Sequence, residues 1–269
     1  MRKFFNVHNS VGLSDLMVGC AKGDIPSPLE DFVAPFESYG FPPALIPIWS
    51  ESSGPNYYGL WKHWFVERTP TFVKMYVPSG REVSEIARTE DQLFCYITVR
   101  AICSFDGLVP IIEDFSRSVG IENLDEIDEV TLSTGDDPYG LVHLSQFEYK
   151  TPMSCLKDVS TYNGNFPSPK TLPGMAAISS FEVSADIVAA TGESKWPVWF
   201  CRNEVVGSFY EAIRRGDFPS AWMSLNSSGW TAKDAKIAMK CLADESKDKE
   251  FRQFAAWWTS IADQSVSGY

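Results

Sequence analysis

Apolar residues recur along the chain at two different spacings, and the change between them divides it into regions. From Asp24 to Gly40, Leu29, Phe32, Val33 and Phe36 recur at helical spacing, with Pro35 keeping the helix short and Gly40 as its stop. Ala44 to Trp49, Tyr57 to Val66 and Thr71 to Val77 follow, each rich in aromatic and β-branched residues and separated by Ser, Gly, Pro and Asn. This pattern predicts three strands of an antiparallel meander. In the third, Phe72, Lys74 and Tyr76 point one way while Val73, Met75 and Val77 point the other, so one face is apolar and the other at least half covered. Glu82 to Ser104 carries strong helix formers with apolar residues at Val83, Ile86, Leu93, Ile97 and Ile102, which predicts one long helix or two short ones. A further helix is expected from Leu108 to Val119.

Beyond it the pattern thins. Glu122 to Asp137 holds seven acidic residues and no basic one, interleaved with Leu124, Ile127, Val130 and Leu132. Pro138 to Trp199 reads as irregular, with Tyr162 to Gly174 too rich in Gly, Pro and Asn for a regular element. Helical periodicity then returns over Asn203–Arg215, Pro219–Leu225, Ala232–Ala243 and Lys249–Ala262, with Gly216 and Thr231 as caps and Phe251, Phe254, Ala255, Trp258 and Ile261 as an apolar stripe. The fold class that follows is α+β: an N-terminal antiparallel sheet flanked by helices, with a mainly helical C-terminal portion. Residues 1–160 make the sheet-containing region and 175–269 the helical one, as one compact unit or as two lobes.

Length and charge narrow the function. A chain of 269 residues can bury a core without a metal or disulfide staple. The net charge of −12 repels a phosphate backbone, so no nucleic acid is expected as partner, and it suits a basic protein partner through electrostatic steering. The six cysteines form no C-x-x-C pair and no zinc-finger spacing, and read as reduced core residues, with Cys95 and Cys103 near one helix face. The first residues carry two basic side chains but no long apolar run, so neither a signal peptide nor a membrane span is expected, no membrane is a partner, and the expected address is cytoplasmic.

Candidate chemistry is sparse. Nucleophile elbows, P-loops, dinucleotide fingerprints and H-E-x-x-H are absent, and the only histidines are His8, His63 and His143. His63, in Trp61-Lys-His-Trp64 on an expected strand, either faces a groove or caps a sheet face. Glu51 to Gly59 presents Glu51, Ser52, Ser53 and Asn56 in a polar connection, as a ligand loop or a plain turn; no helix N-terminus follows its glycines, as a phosphate cradle requires. Asp136 and Asp137 would hold a hard cation or sit in a solvated turn. The acidic stretch from Glu122 to Asp137 either imitates a nucleic-acid backbone for a basic partner or is a solvated edge. Nine tryptophans supply core area, or an interface where a cluster stays exposed.

Pro28-Leu-Glu-Asp-Phe, Tyr39-Gly40, Leu45-Ile-Pro-Ile-Trp, the Ser/Gly turn and the aromatic strand Tyr57 to Phe65 together resemble the SUKH superfamily, immunity partners of secreted bacterial toxins. The resemblance covers about a third of the chain and leaves the helical C-terminal part outside it. It implies an α+β binding module without turnover that occludes a toxin or effector. No catalytic residue, metal or cofactor is then expected, and the partner-binding residues are Glu51, Trp61, His63, Asp125, Glu126, Asp128, Glu129, Asp136 and Asp137. Two other readings compete: a hydrolase whose carboxylates converge with His63 or His143 in the fold, and a peptide-binding scaffold that exposes the Trp-bearing face of Lys249–Ala262.

Overall fold

A computed structural model describes residues 5–35, 39–51, 56–78, 80, 82–172, 178–192, 196–262 and 268–269. Ser52, Ser53, Phe36, the end of the irregular run at Pro173 and Gly174, and the domain boundary at 175 lie outside them. Two short helices, α1 (Phe5–Ser10) and α2 (Asp15–Lys22), precede a five-stranded antiparallel meander in sequence order: β1 (Phe32–Val33), β2 (Leu45–Glu51), β3 (Asn56–Trp61), β4 (Thr71–Tyr76) and β5 (Glu82–Ala87). Leu45 pairs with Trp61 and Tyr58 with Lys74. Gly59 has no alternative at its place, because a β-carbon there would collide with the Ile46 carbonyl across the strand pair. β1 covers only Ser50 and Glu51 of β2. Farther along that edge Pro47 has no N–H to offer, and its carbonyl faces His8 Nε2 at 3.0 Å.

Two expectations fail here. Leu29 lies in a turn and Phe32 and Val33 form the edge strand β1, so the helix expected between Asp24 and Gly40 does not form at the residues described. Glu82 to Ala87 is a strand because its pairing with β4 overrides helix propensity.

Helix α3 (Glu90–Phe105) starts at Thr89, whose side chain accepts the Gln92 amide, and buries Leu93, Phe94, Ile97, Ala101 and Ile102. Helices α4 (Pro110–Val119) and α5 (Leu124–Thr134) pack on it, and short 3-10 turns punctuate the otherwise irregular stretch up to α6 (Ala185–Thr191). The last four helices, α7 (Val205–Arg215), α8 (Phe218–Leu225), α9 (Ala232–Ser246) and α10 (Lys249–Ala262), lie where periodicity places them. Gly216 caps α7 at φ 69°, and Thr231 caps α9 by accepting the Asp234 amide. One hydrophobic core runs from Val7 to Tyr269 through both sheet and C-terminal helices, and a small second cluster gathers Leu172, Ile178, Val183 and Ile187.

A buried polar junction ties the sheet to those helices. Glu182 Oε1 accepts from Arg68 Nη1 at 2.7 Å, Trp61 Nε1 at 2.8 Å and His63 Nε2 at 2.8 Å, while Oε2 accepts the Ser179 amide at 2.8 Å. Trp222 Nε1, a donor only, reaches His63 Nδ1 at 3.1 Å. Nδ1 therefore carries the lone pair and Nε2 the proton, which makes His63 the neutral tautomer and directs Trp61 and Arg68 to Glu182 rather than to that nitrogen. Burial holds His63 below its ordinary value, in agreement with a neutral ring. Burial pushes Glu182 up, but the Arg68 charge and the bonds from His63 and Ser179 outweigh it and bring the carboxyl down to about 2. Trp61 and His63 are thus sealed: the His63 and Glu182 side chains keep 2% and 0% of their surface. The expectation that Trp61 and His63 meet a partner is corrected, because β3 ends at Trp61 and the following turn carries His63 inward.

Glu182→Gln would take from buried Arg68 the carboxylate that Nη1 meets at 2.7 Å and is expected to cost roughly 3–5 kcal/mol in urea denaturation. The pH dependence follows from both shifts. Unfolded chains protonate His63 first, so stability is full above about pH 6.5 and declines below it; Glu182 adds a steeper loss from about pH 4.5 downwards. Denaturation midpoints across pH 3 to 8 check both stages.

Candidate partner-binding face

The acidic stretch folds into α5 and the turn behind it. Only Ile127 and Thr131 of α5 are buried, so its remaining apolar positions do not serve the core fully. Asp125, Glu126 and Glu129 point to solvent and Asp128 is half-buried. Glu126 accepts from Asn123 Nδ2 at 2.6 Å. Asp137 accepts the Tyr139 amide at 3.0 Å and opens the 3-10 turn Pro138–His143, while Asp136 beside it is exposed. Among the described residues no group of three or more His, Cys, Asp and Glu side chains is placed to hold a metal ion.

Large apolar side chains stand among these carboxylates. Leu132 on α5 is 76% exposed, and Tyr139 and Val142 on the turn after it are also exposed. The Pro138–His143 turn packs back on α5, and a β-carbon at Gly140 would strike Thr134, so the turn is pinned against the helix end. Exposed tyrosine and leucine ringed by charge is the composition of a protein interface, where aromatic anchors carry affinity and the charged rim steers approach.

Asp136 also borders a second feature, a cleft of about 500 Å³ lined by Glu30, Asp31, Arg100, Cys103 and Phe105. Three carboxylates and one guanidinium face it, and the guanidinium is already engaged. Arg100 Nη1 donates to Glu51 Oε1 at 2.8 Å and to the Tyr58 hydroxyl, Tyr58 donates to Glu51 Oε1 at 2.5 Å, and Asn56 Nδ2 donates to Glu51 Oε2. Burial raises the Glu51 carboxyl, but the bonds from Tyr58, Arg100 and Asn56 outweigh it and hold it below its ordinary value. The fold therefore brings Glu51 and Asp136 to the two sides of Arg100, Glu51 buried and Asp136 exposed. Glu51 itself is turned inward, away from the surface expected of it.

Sequence periodicity does not single out Arg100, although it is the one cation in the otherwise apolar run from Leu93 to Ile102. Glu182 and Arg68 leave no signal, since each stands in irregular chain. The six cysteines are free; Cys20, Cys95 and Cys155 are buried, but Cys103 and Cys201 are exposed, against the expectation of six core thiols. Eight residues turn a helix by about 80° beyond two full turns, enough to carry Cys103 off the face that buries Cys95. No described helix is long and apolar enough to cross a membrane.

Compared with known proteins, the chain matches no family model, no curated protein and no solved structure.

Arg100→Met would remove one charged donor from Glu51. The Glu51 carboxyl should then titrate at higher pH in a carbon-detected NMR series, with a stability loss of about 1–2 kcal/mol for a half-exposed charged hydrogen bond.

Proposed function

We propose that this chain is an immunity or inhibitor protein that binds and neutralises a cognate toxin or effector domain without turnover. The observation that carries the reading is the exposure of Leu132 and Tyr139 within an acidic face, α5 and the turn after it. Aromatic and aliphatic anchors in a charged rim favour a protein ligand, and a rim of Asp125, Glu126, Glu129, Asp136 and Asp137 favours a basic one. The resemblance of the first hundred residues to the SUKH superfamily supports the same reading. So does the net charge of −12, which accelerates encounter with a cationic enzyme such as a nuclease and repels that enzyme's own substrate.

The competing readings draw less support. A hydrolase built on His63 needs substrate at that ring, and His63 and Glu182 are closed off from solvent; His143 is exposed on the Pro138–His143 turn. A scaffold that uses α10 needs its tryptophans outside, and Trp257 and Trp258 are buried.

Growth rescue tests the proposal. Co-produced with toxin domains secreted by its native host, the chain should protect cells from one of them and co-elute with it at equal stoichiometry. Leu132→Ser with Tyr139→Ser, folded as judged by an unchanged denaturation midpoint, should weaken that complex about 100-fold, since two interface anchors are worth roughly 1–2 kcal/mol each. Asp136→Lys with Asp137→Lys should slow association at low salt, and less so at high salt. Protection from no toxin, or an unchanged complex with the Leu132 and Tyr139 double variant, would sink the reading.

A further inference from the structure

The geometry points to Lys74 as a nucleophilic amine, a covalent site for small aldehydes and ketones. Lys74 lies in the middle of the sheet on β4, directly across from Tyr58 on β3. Its Nζ stands 5.6 Å from the centroid of the Tyr58 ring, and the Arg100 guanidinium carbon stands 5.5 Å from the centroid of the same ring. Two cations therefore share one phenol. The carboxylate between them is committed to one only: Glu51 takes Arg100, Tyr58 and Asn56, and Lys74 makes no hydrogen bond or ion pair among the described residues.

A half-buried ammonium beside a fixed guanidinium, with no acceptor of its own, is the arrangement that favours the free amine. The charged and titratable groups around it are Arg100 and Tyr96 from α3, Glu51 from β2, Tyr58 from β3 and Asp136 from the turn after α5. Burial and Arg100 lower the Lys74 pKa, against the opposing pull of Glu51 and Asp136. Lys62 is a natural control. It too is half-buried over an aromatic ring, 4.7 Å from the Trp64 centroid, but a carboxylate, Glu250, accompanies it and no second cation does.

The chemistry balances without a further reagent. The ammonium gives up a proton, the amine lone pair attacks the carbonyl carbon, and the carbinolamine takes the proton back as its oxygen leaves as water. Ammonium plus carbonyl thus becomes protonated imine plus one water. The ligand class is a small aldehyde or ketone, held as an imine on β4.

Reductive alkylation of the native full-length chain tests this, with limiting acetaldehyde and sodium cyanoborohydride at pH 7.5 and the modified peptides counted by mass spectrometry. A lowered pKa enlarges the free-amine fraction at pH 7.5, so Lys74 should be modified several-fold faster than the exposed Lys150, Lys233 and Lys240. Its rate should also level off at lower pH than theirs. Modification of Lys74 no faster than those three overturns the proposal, whether from an ordinary pKa or from a closed path. Arg100→Met should slow Lys74 several-fold and leave Lys62 unchanged; an unchanged Lys74 rate would remove the guanidinium as cause, and the wild-type pH profile decides the case should that variant fold poorly.

Discussion

An ionised carboxylate with none of its side-chain surface open to water holds this molecule together. Glu182 closes a single 3-10 turn, Ser180–Glu182, in an otherwise irregular stretch, yet its two oxygens gather the end of β3, the loop after it and the Ser179 amide. Through His63 the same junction reaches Trp222 and so α8. A charge buried this deeply is costly alone, and nearly every donor around it is committed to it. The consequence is a strict mutual dependence: the irregular stretch has few regular hydrogen bonds of its own, and among the described residues the sheet and the C-terminal helices share no other polar junction centred on a charge. Asn226, which accepts the Ala44 amide at 2.6 Å and donates to the Trp222 carbonyl at 2.9 Å, reinforces the same seam with neutral groups.

This junction also separates the molecule's two kinds of polar chemistry. Inside, His63 is neutral and oriented, Glu182 is ionised and matched, and their burial favours order over reactivity. Outside, α5 and the turn after it carry unmatched charge beside apolar side chains that the core does not use. Between these extremes lies the Glu51, Tyr58 and Arg100 cluster, buried on one side and bordering the cleft on the other. Lys74 is the member of that neighbourhood left without an acceptor, and its character follows from where Glu51 was spent.

Much of the architecture was legible in the sequence because local and tertiary preferences agree there. The aromatic strands β2 to β4 are bounded by strong turn residues, and α7 to α10 keep their apolar spacing and their caps. Glu82 to Ala87 was misread because its composition suits a helix while its neighbour β4 needs a partner strand, and pairing prevails over propensity. The site was legible only in part. The acidic run marked α5 and Asp136 correctly as surface, but nothing local distinguishes Leu132, which faces water, from Ile127, which faces the core. Trp61 and His63 illustrate the opposite failure: a polar residue among tryptophans suggests a groove, whereas here the Trp61 indole N–H and both His63 ring nitrogens find their partners in the interior.

The treatment of the β2 edge bears on how such a chain behaves at high concentration. Pro47 removes a donor from the strand margin and His8 occupies the acceptor beside it, so that stretch presents no ready ladder for an incoming strand. Addition of an incoming strand along this margin is thereby discouraged.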